Sequence, residues 1–583
     1  MTDPAFLGVE NSLCGKIWRG PDAAQTRAAD LLGQSTTYPP ALCQVMAARG
    51  VAPKDAEAFL DPKLRDLMPD PSHLRDMDKA TDRLISALET HEKIAIFADY
   101  DVDGGASAAL LIQWLGQLGR TATLYVPDRI DEGYGPNEAA MSALARDHDL
   151  IICVDCGTLS HVPIAAAKGA DVVVVDHHLG AETLPPAFAV VNPNRQDEDS
   201  PLGALCAAGI VFMLLVSANR ALRTKGREGP DLIGFLDLVA LATVADVAPL
   251  VGLNRAFVRQ GLDVMSKRQR PGLVALSDVA RLETAPSSYH LGFVLGPRVN
   301  AGGRIGKADL GARLLATNDP HEAAALAERL DRLNHERREI EEQVRLKAIE
   351  QAESRGLDQP LVWAAGDGWH PGVVGIVASR LKELSNRPSV VIGFEGEDGK
   401  GSARSVAHVD LGHAIARLQA EGLIEKGGGH KMAAGLSLTR DQLETAMARL
   451  SDLLAAQGAG TQAPVDLRID ALITPKAADV DLIGEVERAG PFGASAPAPR
   501  FALAACQITF AKRAGENHLR LSLGGEGGGR LDAIAFRAFD SPLGAALEGH
   551  AGQKLHVAGR LEVDHWGGRK KAKLKVEDAA YPV

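Results

Sequence analysis

Aromatic residues supply only 4% of this 583-residue chain, as 14 Phe, 6 Tyr and 5 Trp. So few rings limit any recognition that relies on aromatic stacking. Cysteine is as sparse. Six are scattered along the chain, which fits a reducing compartment and excludes a disulfide framework. No uninterrupted apolar run approaches the roughly 18 residues of a membrane span. The N-terminal Met-Thr-Asp-Pro-Ala-Phe lacks a basic stretch followed by an apolar one. A cytoplasmic protein without membrane contact is expected. An excess of basic charge is also missing, since the formal net charge is −12. From Val465 onward, however, 16 Lys and Arg face 15 Asp and Glu, with a basic cluster at Arg569-Lys570-Lys571, Lys573 and Lys575. Binding follows local patches, so nucleic acid stays admissible.

The length implies several domains. Residues 1–85 read as short helices broken by prolines, without evident chemistry. From Lys93 strands and helices alternate, which predicts a mostly parallel sheet over 86–317. Asn318-Asp319-Pro320 is a strong helix start. Apolar residues then recur at helical spacing, predicting a strut over 318–356. A second α/β unit follows over 357–460. Short alternating strands separated by glycines occupy 465–583, as in a small barrel such as an OB-fold.

Chemistry-bearing residues sit at expected strand ends in four motifs: Asp99-Tyr-Asp101-Val-Asp103-Gly104, Val154-Asp155-Cys-Gly157, Asp176-His177-His178 and Ala245-Asp246-Val247. Ligands gather outside the carboxyl ends of strands in open α/β sheets. Carboxylates converging there need cations. Oxygen donors with one or two imidazoles suit Mn²⁺ or Mg²⁺ better than Zn²⁺. A two-metal site hydrolysing phosphate esters is the expectation. The Cys153-Val-Asp-Cys156 spacing lacks the second Cys/His pair that zinc would need.

Together these motifs resemble the DHH phosphoesterase superfamily, and the whole chain resembles its bacterial single-strand-specific exonucleases. The resemblance extends to Glu132-Gly-Tyr-Gly135, Gly296-Pro-Arg-Val-Asn-Ala-Gly-Gly-Arg304, Trp369-His-Pro-Gly-Val-Val-Gly-Ile-Val-Ala-Ser-Arg380, Gly401-Ser-Ala-Arg-Ser405 and Gly427-Gly-Gly-His430. It implies a DHH lobe and a DHHA1 lobe joined by a long helix, then an OB-fold. It implies two divalent cations, Mn²⁺ or Mg²⁺, held by Asp101, Asp103, Asp155, His177 and Asp246. Asp155 would bridge them, and His178 would face the scissile phosphate. Some superfamily members carry a further ligand His where this chain has Phe97, so water or Asp99 would substitute. Polarity from the 5′ end would come from a phosphate pocket drawn from Arg129, Arg298, Arg304, Ser402, Arg404 and His430. Trp566, Arg569, Lys570 and Lys571 would touch single-stranded DNA, and Phe536 and Phe539 are weaker stacking candidates. The implied activity is 5′→3′ degradation of single-stranded DNA to mononucleotides in repair and recombination. A monomer working with a helicase and a single-strand-binding protein is expected. Two other functions compete: a DHH phosphodiesterase acting on short oligonucleotides or cyclic dinucleotides, and a non-catalytic replication scaffold. Pro491-Phe-Gly493 precedes Ala494-Ser-Ala-Pro497 where the family has Gly-Asn-Pro, so any role of that Asn is absent.

Overall fold

The apolar run Ile94–Ala98 is buried at every position and lies inside a five-stranded, all-parallel sheet. The strand order is Ala122–Tyr125, Ile94–Ala98, Leu150–Val154, Asp171–Val175, Ala189–Val191. The computed structural model describes residues 4–128, 132–133, 135–460, 465–525, 528–549, 553–565 and 569–582. Strands covered on both faces read as continuous hydrophobic runs, which is why Leu150–Val154 and Asp171–Val175 were legible. The chain places Ala122–Tyr125 on one side of Ile94–Ala98 and the later strands on the other. The order therefore reverses between Ile94–Ala98 and Leu150–Val154, and such a switch point is where open sheets bind ligands.

The structure divides into two units, one comprising residues 69–248 and 260–462. Besides the parallel sheet it holds a 36-residue helix, Pro320–Arg355, about 54 Å long. Asp319 caps it and Pro320 opens it. Beyond lies a second five-stranded sheet in which Val362–Asp367 and Ser389–Glu395 run parallel. Asp398–Arg404, Ala433–Thr439 and Lys426–His430 add antiparallel to that pair. Helix Ala207–Thr224 is long and apolar enough to cross a membrane by length and composition, yet its apolar residues are buried in this unit.

The other unit comprises residues 1–68, 249–259 and 463–583. Five of its strands close a barrel in the order Phe501–Ala514, His518–Gly524, Arg530–Ala535, Lys571–Ala580, Lys554–Asp564, with the last pairing back to the first. Register shifts in Phe501–Ala514 let it pair on both sides, as bulges bend a strand. The all-helical expectation for the first 85 residues needs amending. Lys16–Arg19 is a strand, parallel to Val465–Arg468, while helix Met77–Glu89 belongs to the other unit. Four residues paired to a strand almost 450 positions away leave no local signal.

One buried carboxylate fastens that N-terminal strand to the barrel. Asp578 accepts from Trp18 Nε1 at 3.0 Å, from Ala579 N at 2.8 Å and from Cys14 N at 3.3 Å. Asp578→Ala strands those donors away from water, and should cost about 2–3 kcal/mol. A lowered denaturant midpoint of the barrel-containing unit checks this.

Candidate metal centre and phosphate pocket

Asp101 is the N-cap of helix Val102–Gln117, accepting from the backbone N–H of Asp103 at 2.9 Å and Gly104 at 3.2 Å. Asp103 thus sits in the first helical turn rather than at a strand end. Its carboxylate accepts from Ala207 N at 2.7 Å and Ala208 N at 2.8 Å, the exposed donors at the start of helix Ala207–Thr224. A helix N-terminus favours negative charge. Gly104 is needed for close approach, because a Cβ there would lie 2.4 Å from the Asp99 carbonyl oxygen.

Asp155 follows strand Leu150–Val154 with φ +60°, a left-handed conformation that costs a non-glycine residue about 1–2 kcal/mol. Val247 shares that φ, directly after Asp246. Asp246 itself caps the C-terminus of helix Leu236–Ala245 rather than ending a strand. A carboxylate at the negative end of a helix is disfavoured, so Asp246 is held where a cation is wanted.

These side chains meet around His177. Its Nε2 lies 3.2 Å from Asp155 Oδ1 and 3.7 Å from Asp103 Oδ2, and its Nδ1 lies 3.9 Å from Asp246 Oδ2. Three donor sets each fall within 4.8 Å: Asp99 with Asp101 and Asp155; Asp103 with His177 and Asp246; Asp155 with His177 and His178. Asp155 and His177 each belong to two sets. Burial, then the negative charge of neighbouring aspartates, pushes Asp155 well above the usual carboxylate range. Asp103 shifts the same way by burial and Asp101. Asp246 is pushed up to about 8 by burial and by Asp103 and Asp101. Mutually repelling carboxylates with imidazole and no thiolate among them fit hard divalent cations such as Mn²⁺ or Mg²⁺.

Asp176 does different work. Burial would raise its pKa, but donation from His178 Nδ1 at 2.8 Å and Thr158 N at 3.0 Å reverses this and holds it far below the usual range. In return His178 is raised to about 9 against its own desolvation, through Asp176 first and then Asp246 and Asp99. Motif reading missed the residues that hold this turn. Asn192 Nδ2 donates to the His178 carbonyl and to Thr158 Oγ1, both at 2.8 Å, and Asn194 Nδ2 donates to the His177 carbonyl at 2.6 Å. The Asn-Pro-Asn run after a fourth apolar strand was the available signal. Phe97 is fully buried under the sheet, stacked on Tyr125 with centroids 5.3 Å apart.

A cleft of about 570 Å³ is lined by Arg304, Lys400, Ser402, Lys426 and Gly427–Gly428, and by Pro371 and Gly372 at the start of helix Pro371–Ser385. A Cβ on Gly375 would lie 3.0 Å from Arg404 Nη2 and 3.3 Å from Ser402 Oγ, so Arg404 adjoins the same helical turn. Guanidinium, ammonium, hydroxyl and a helix N-terminus together suit an anion such as phosphate. Arg304, Ser402 and Arg404 are thus brought together, and Lys400 and Lys426 join them unforeseen, each one residue before a glycine of the quoted motifs. Arg298 is instead engaged by Asp331 at 2.8 Å and the Val294 carbonyl at 2.7 Å. His430 is exposed at the end of strand Lys426–His430, so the glycine run forms a strand. Arg129 and Trp566 lie outside the described residues. Arg569, Lys570 and Lys571 are exposed beside the barrel strand Lys571–Ala580. Phe536 is exposed and Phe539 packs against the core.

A parallel sheet with this acidic rim, a long helix and a mixed second sheet define the DHH class. Residues 93–243 match the DHH family N-terminal domain, 358–456 the DHHA1 domain and 469–578 the RecJ OB domain. The chain is 37% identical over 562 residues to the single-stranded-DNA-specific exonuclease RecJ of Dickeya dadantii, covering 93% of this chain and 96% of that one. It is 34% identical over 560 residues to RecJ of Escherichia coli, with the same coverage. Its structure is similar to RecJ from Thermus thermophilus in complex with Mn²⁺, with TM-score 0.80 and 30% identity over 97% of this chain and 80% of that one. The same protein with Mg²⁺ gives TM-score 0.74 at 29% identity, covering 97% of this chain and 78% of that one. The chain belongs to the RecJ family.

The raised carboxylates set the pH response of the metal-free protein. A carboxylate whose folded pKa exceeds its unfolded value of about 4 binds a proton in the native state that the unfolded state has released, so stability falls as pH rises between the two. For Asp246 that window runs from about 4 to about 8. The raised His178 acts in the same sense as pH passes about 9. Calorimetry of chelator-treated protein should show the unfolding temperature falling by roughly 5 °C or more from pH 5 to pH 8.5. Stabilisation by added Mn²⁺ should be larger at pH 8.5 than at pH 5.5. A flat profile would show that these carboxylates do not repel one another.

Proposed function

We propose that this chain is a metal-dependent exonuclease that degrades single-stranded DNA from its 5′ end by phosphodiester hydrolysis. The observation that carries the reading is the overlap of donor sets at Asp155 and His177. Asp101, Asp103, Asp155, His177 and Asp246 would hold two divalent cations, with water or Asp99 substituting for the histidine that some superfamily members carry at the position of Phe97. When bound, these supply activation of water and neutralisation of phosphoryl oxygens.

The chain's own groups do the rest. Asp155, held in a strained turn, presents its carboxylate between the donor sets. The N-terminus of helix Ala207–Thr224 keeps Asp103 in place, so this donor needs no rearrangement. His178 stays protonated at neutral pH because of Asp176, and can donate a hydrogen bond to the scissile phosphate and a proton to the leaving 3′-oxygen. No side chain is required as a covalent nucleophile. Arg304, Ser402, Arg404, Lys400 and Lys426 would receive the terminal 5′-phosphate, which gives polarity without reading bases. The family resemblance adds a helicase and a single-strand-binding protein as partners, a monomeric state and a place in repair and recombination.

The test is a 3′-labelled single strand with Mn²⁺, beside its duplex and a 5′-blocked copy. Progressive shortening of the free single strand alone is expected. Asp155→Ala should lose at least about a thousandfold in kcat, since removing one member of such a charge-stabilising set is worth several kcal/mol. Cleavage of dinucleotides only would replace the reading with a short-substrate phosphodiesterase. Ser402→Ala and Arg404→Ala should raise KM about tenfold or more for a 5′-phosphorylated strand, and much less for a 5′-hydroxyl strand. Equal losses on both strands would remove these residues from the pocket.

A further inference from the structure

Two of this chain's few aromatic rings stand in solvent side by side. Tyr289 is 64% and Phe293 is 67% exposed, with ring centroids 5.2 Å apart and planes 27° from parallel. Single exposed rings are ordinary, but a stacked pair is a small apolar surface. Phe293 lies in the π-helical turn Leu291–Leu295, a rare geometry that concentrates at functional sites. The inner side of this segment is fixed by close packing. A Cβ on Gly292 would lie 3.3 Å from Val244, and one on Gly296 would lie 3.3 Å from Ala245. Those residues immediately precede Asp246, so the segment packs against the helix that ends at Asp246 while its two rings face solvent.

The charge beside them is mixed, with a positive excess. Phe293 and Asn300 line a cleft of about 450 Å³ in which Arg304, Arg337, Arg338 and Arg380 outnumber Glu341 and Glu342; Arg337 pairs with Glu341, and Arg380 pairs with Glu383 at 3.0 Å. Asn300 accepts at 2.9 Å from Val102 N, in the turn between Asp101 and Asp103. Arg304 also lines the phosphate pocket. Rings and guanidinium groups thus adjoin the metal-centre turn on one side and the phosphate pocket on the other.

We infer that Tyr289 and Phe293 form a stacking platform for the bases of the single strand, while the positive excess of the adjoining cleft favours its phosphates; this rests on the exonuclease reading above. Every base offers a π-face, so such a platform tolerates any sequence. A paired base has its faces covered by neighbours in the duplex, so the same platform favours unpaired strands.

The experiment uses the full chain with Mn²⁺ and two strands, one ordinary and one whose first six 5′ nucleotides lack bases. Tyr289→Ala/Phe293→Ala should raise KM about tenfold or more on the ordinary strand, because each stack is worth about five- to hundredfold in affinity. The kcat at saturation should change much less. Phe293→Trp should keep the wild-type KM, and Phe293→Leu, apolar but without a π-face, should not. On the base-free strand the wild-type KM should rise by a similar factor, and the double variant should lose no more. An unchanged KM, or an equal loss by the double variant on both strands, overturns the platform. Anisotropy of a fluorescent strand on metal-free protein separates the two readings. Wild-type protein that binds the strand but does not cut it once Mn²⁺ is added, with the double variant binding about tenfold more weakly, overturns the exonuclease reading and keeps the platform. Equal binding by wild type and double variant, or capture of a protein partner at these rings without any effect on strand binding, overturns the platform.

Discussion

Like charges packed together at one rim of a buried parallel sheet are the constraint on which this molecule is built. Asp103 and Asp155 are almost fully inaccessible, and His177 and Asp246 adjoin them. Burying unpaired carboxylates is among the costliest things a fold can do. Several backbone devices offset it. A helix N-terminus supplies two donors to Asp103, an N-cap supplies two to Asp101, and Asp176 is ringed by N–H groups from Thr158, His177 and His178. Asp155 and Asp246 occupy less favourable settings. One is strained and the other lies at the wrong end of a helix. The carboxylates that the backbone favours least are thus among those placed to hold cations, as expected where stability has been given up for function.

That distribution also explains how much could be read in advance. Doubly covered strands leave uninterrupted runs of Ile, Val and Leu, so Asp155 and Asp176 announced themselves as polar residues at the tips of apolar segments. Asp103 was legible as a donor but not in its place. The motif was expected at a strand end, and only the fold shows that its last carboxylate has entered a helix. Asn192 and Asn194 carry no charge and obey no spacing rule, and their work on the carbonyls of His177 and His178 arises from a strand pairing that local sequence does not encode. Lys16–Arg19 was missed for the same reason, being fixed by a partner on the far side of the chain.

Net charge was a poor guide to partner for a related reason. The acidic surplus belongs partly to the front of the chain, where the metal-site aspartates lie, while basic groups collect in clefts. Arg304, Lys400 and Lys426 line one, and in another Arg304, Arg337, Arg338 and Arg380 outnumber Glu341 and Glu342. A polyanion would meet guanidinium and ammonium groups at the walls of these clefts even though the protein as a whole is negative.

The short helix Gly296–Ile305 ties these features together. Asn300 holds the backbone at Val102, and Gly303 lets Tyr100 pack where a Cβ would lie 2.2 Å from its ring. Arg304, the next residue, donates to the Gly372 carbonyl at 3.1 Å, at the helix start that forms one wall of the cleft shared with Lys400 and Lys426. Three residues spaced within five positions therefore set the turn bearing Asp101 and Asp103 against the pocket. Catalysis by positioning tolerates displacements of well under an ångström, and a rigid helical turn meets that demand better than two lobes joined by loops. The glycines of this motif are accordingly spacers, each admitting a neighbour that any side chain would push away.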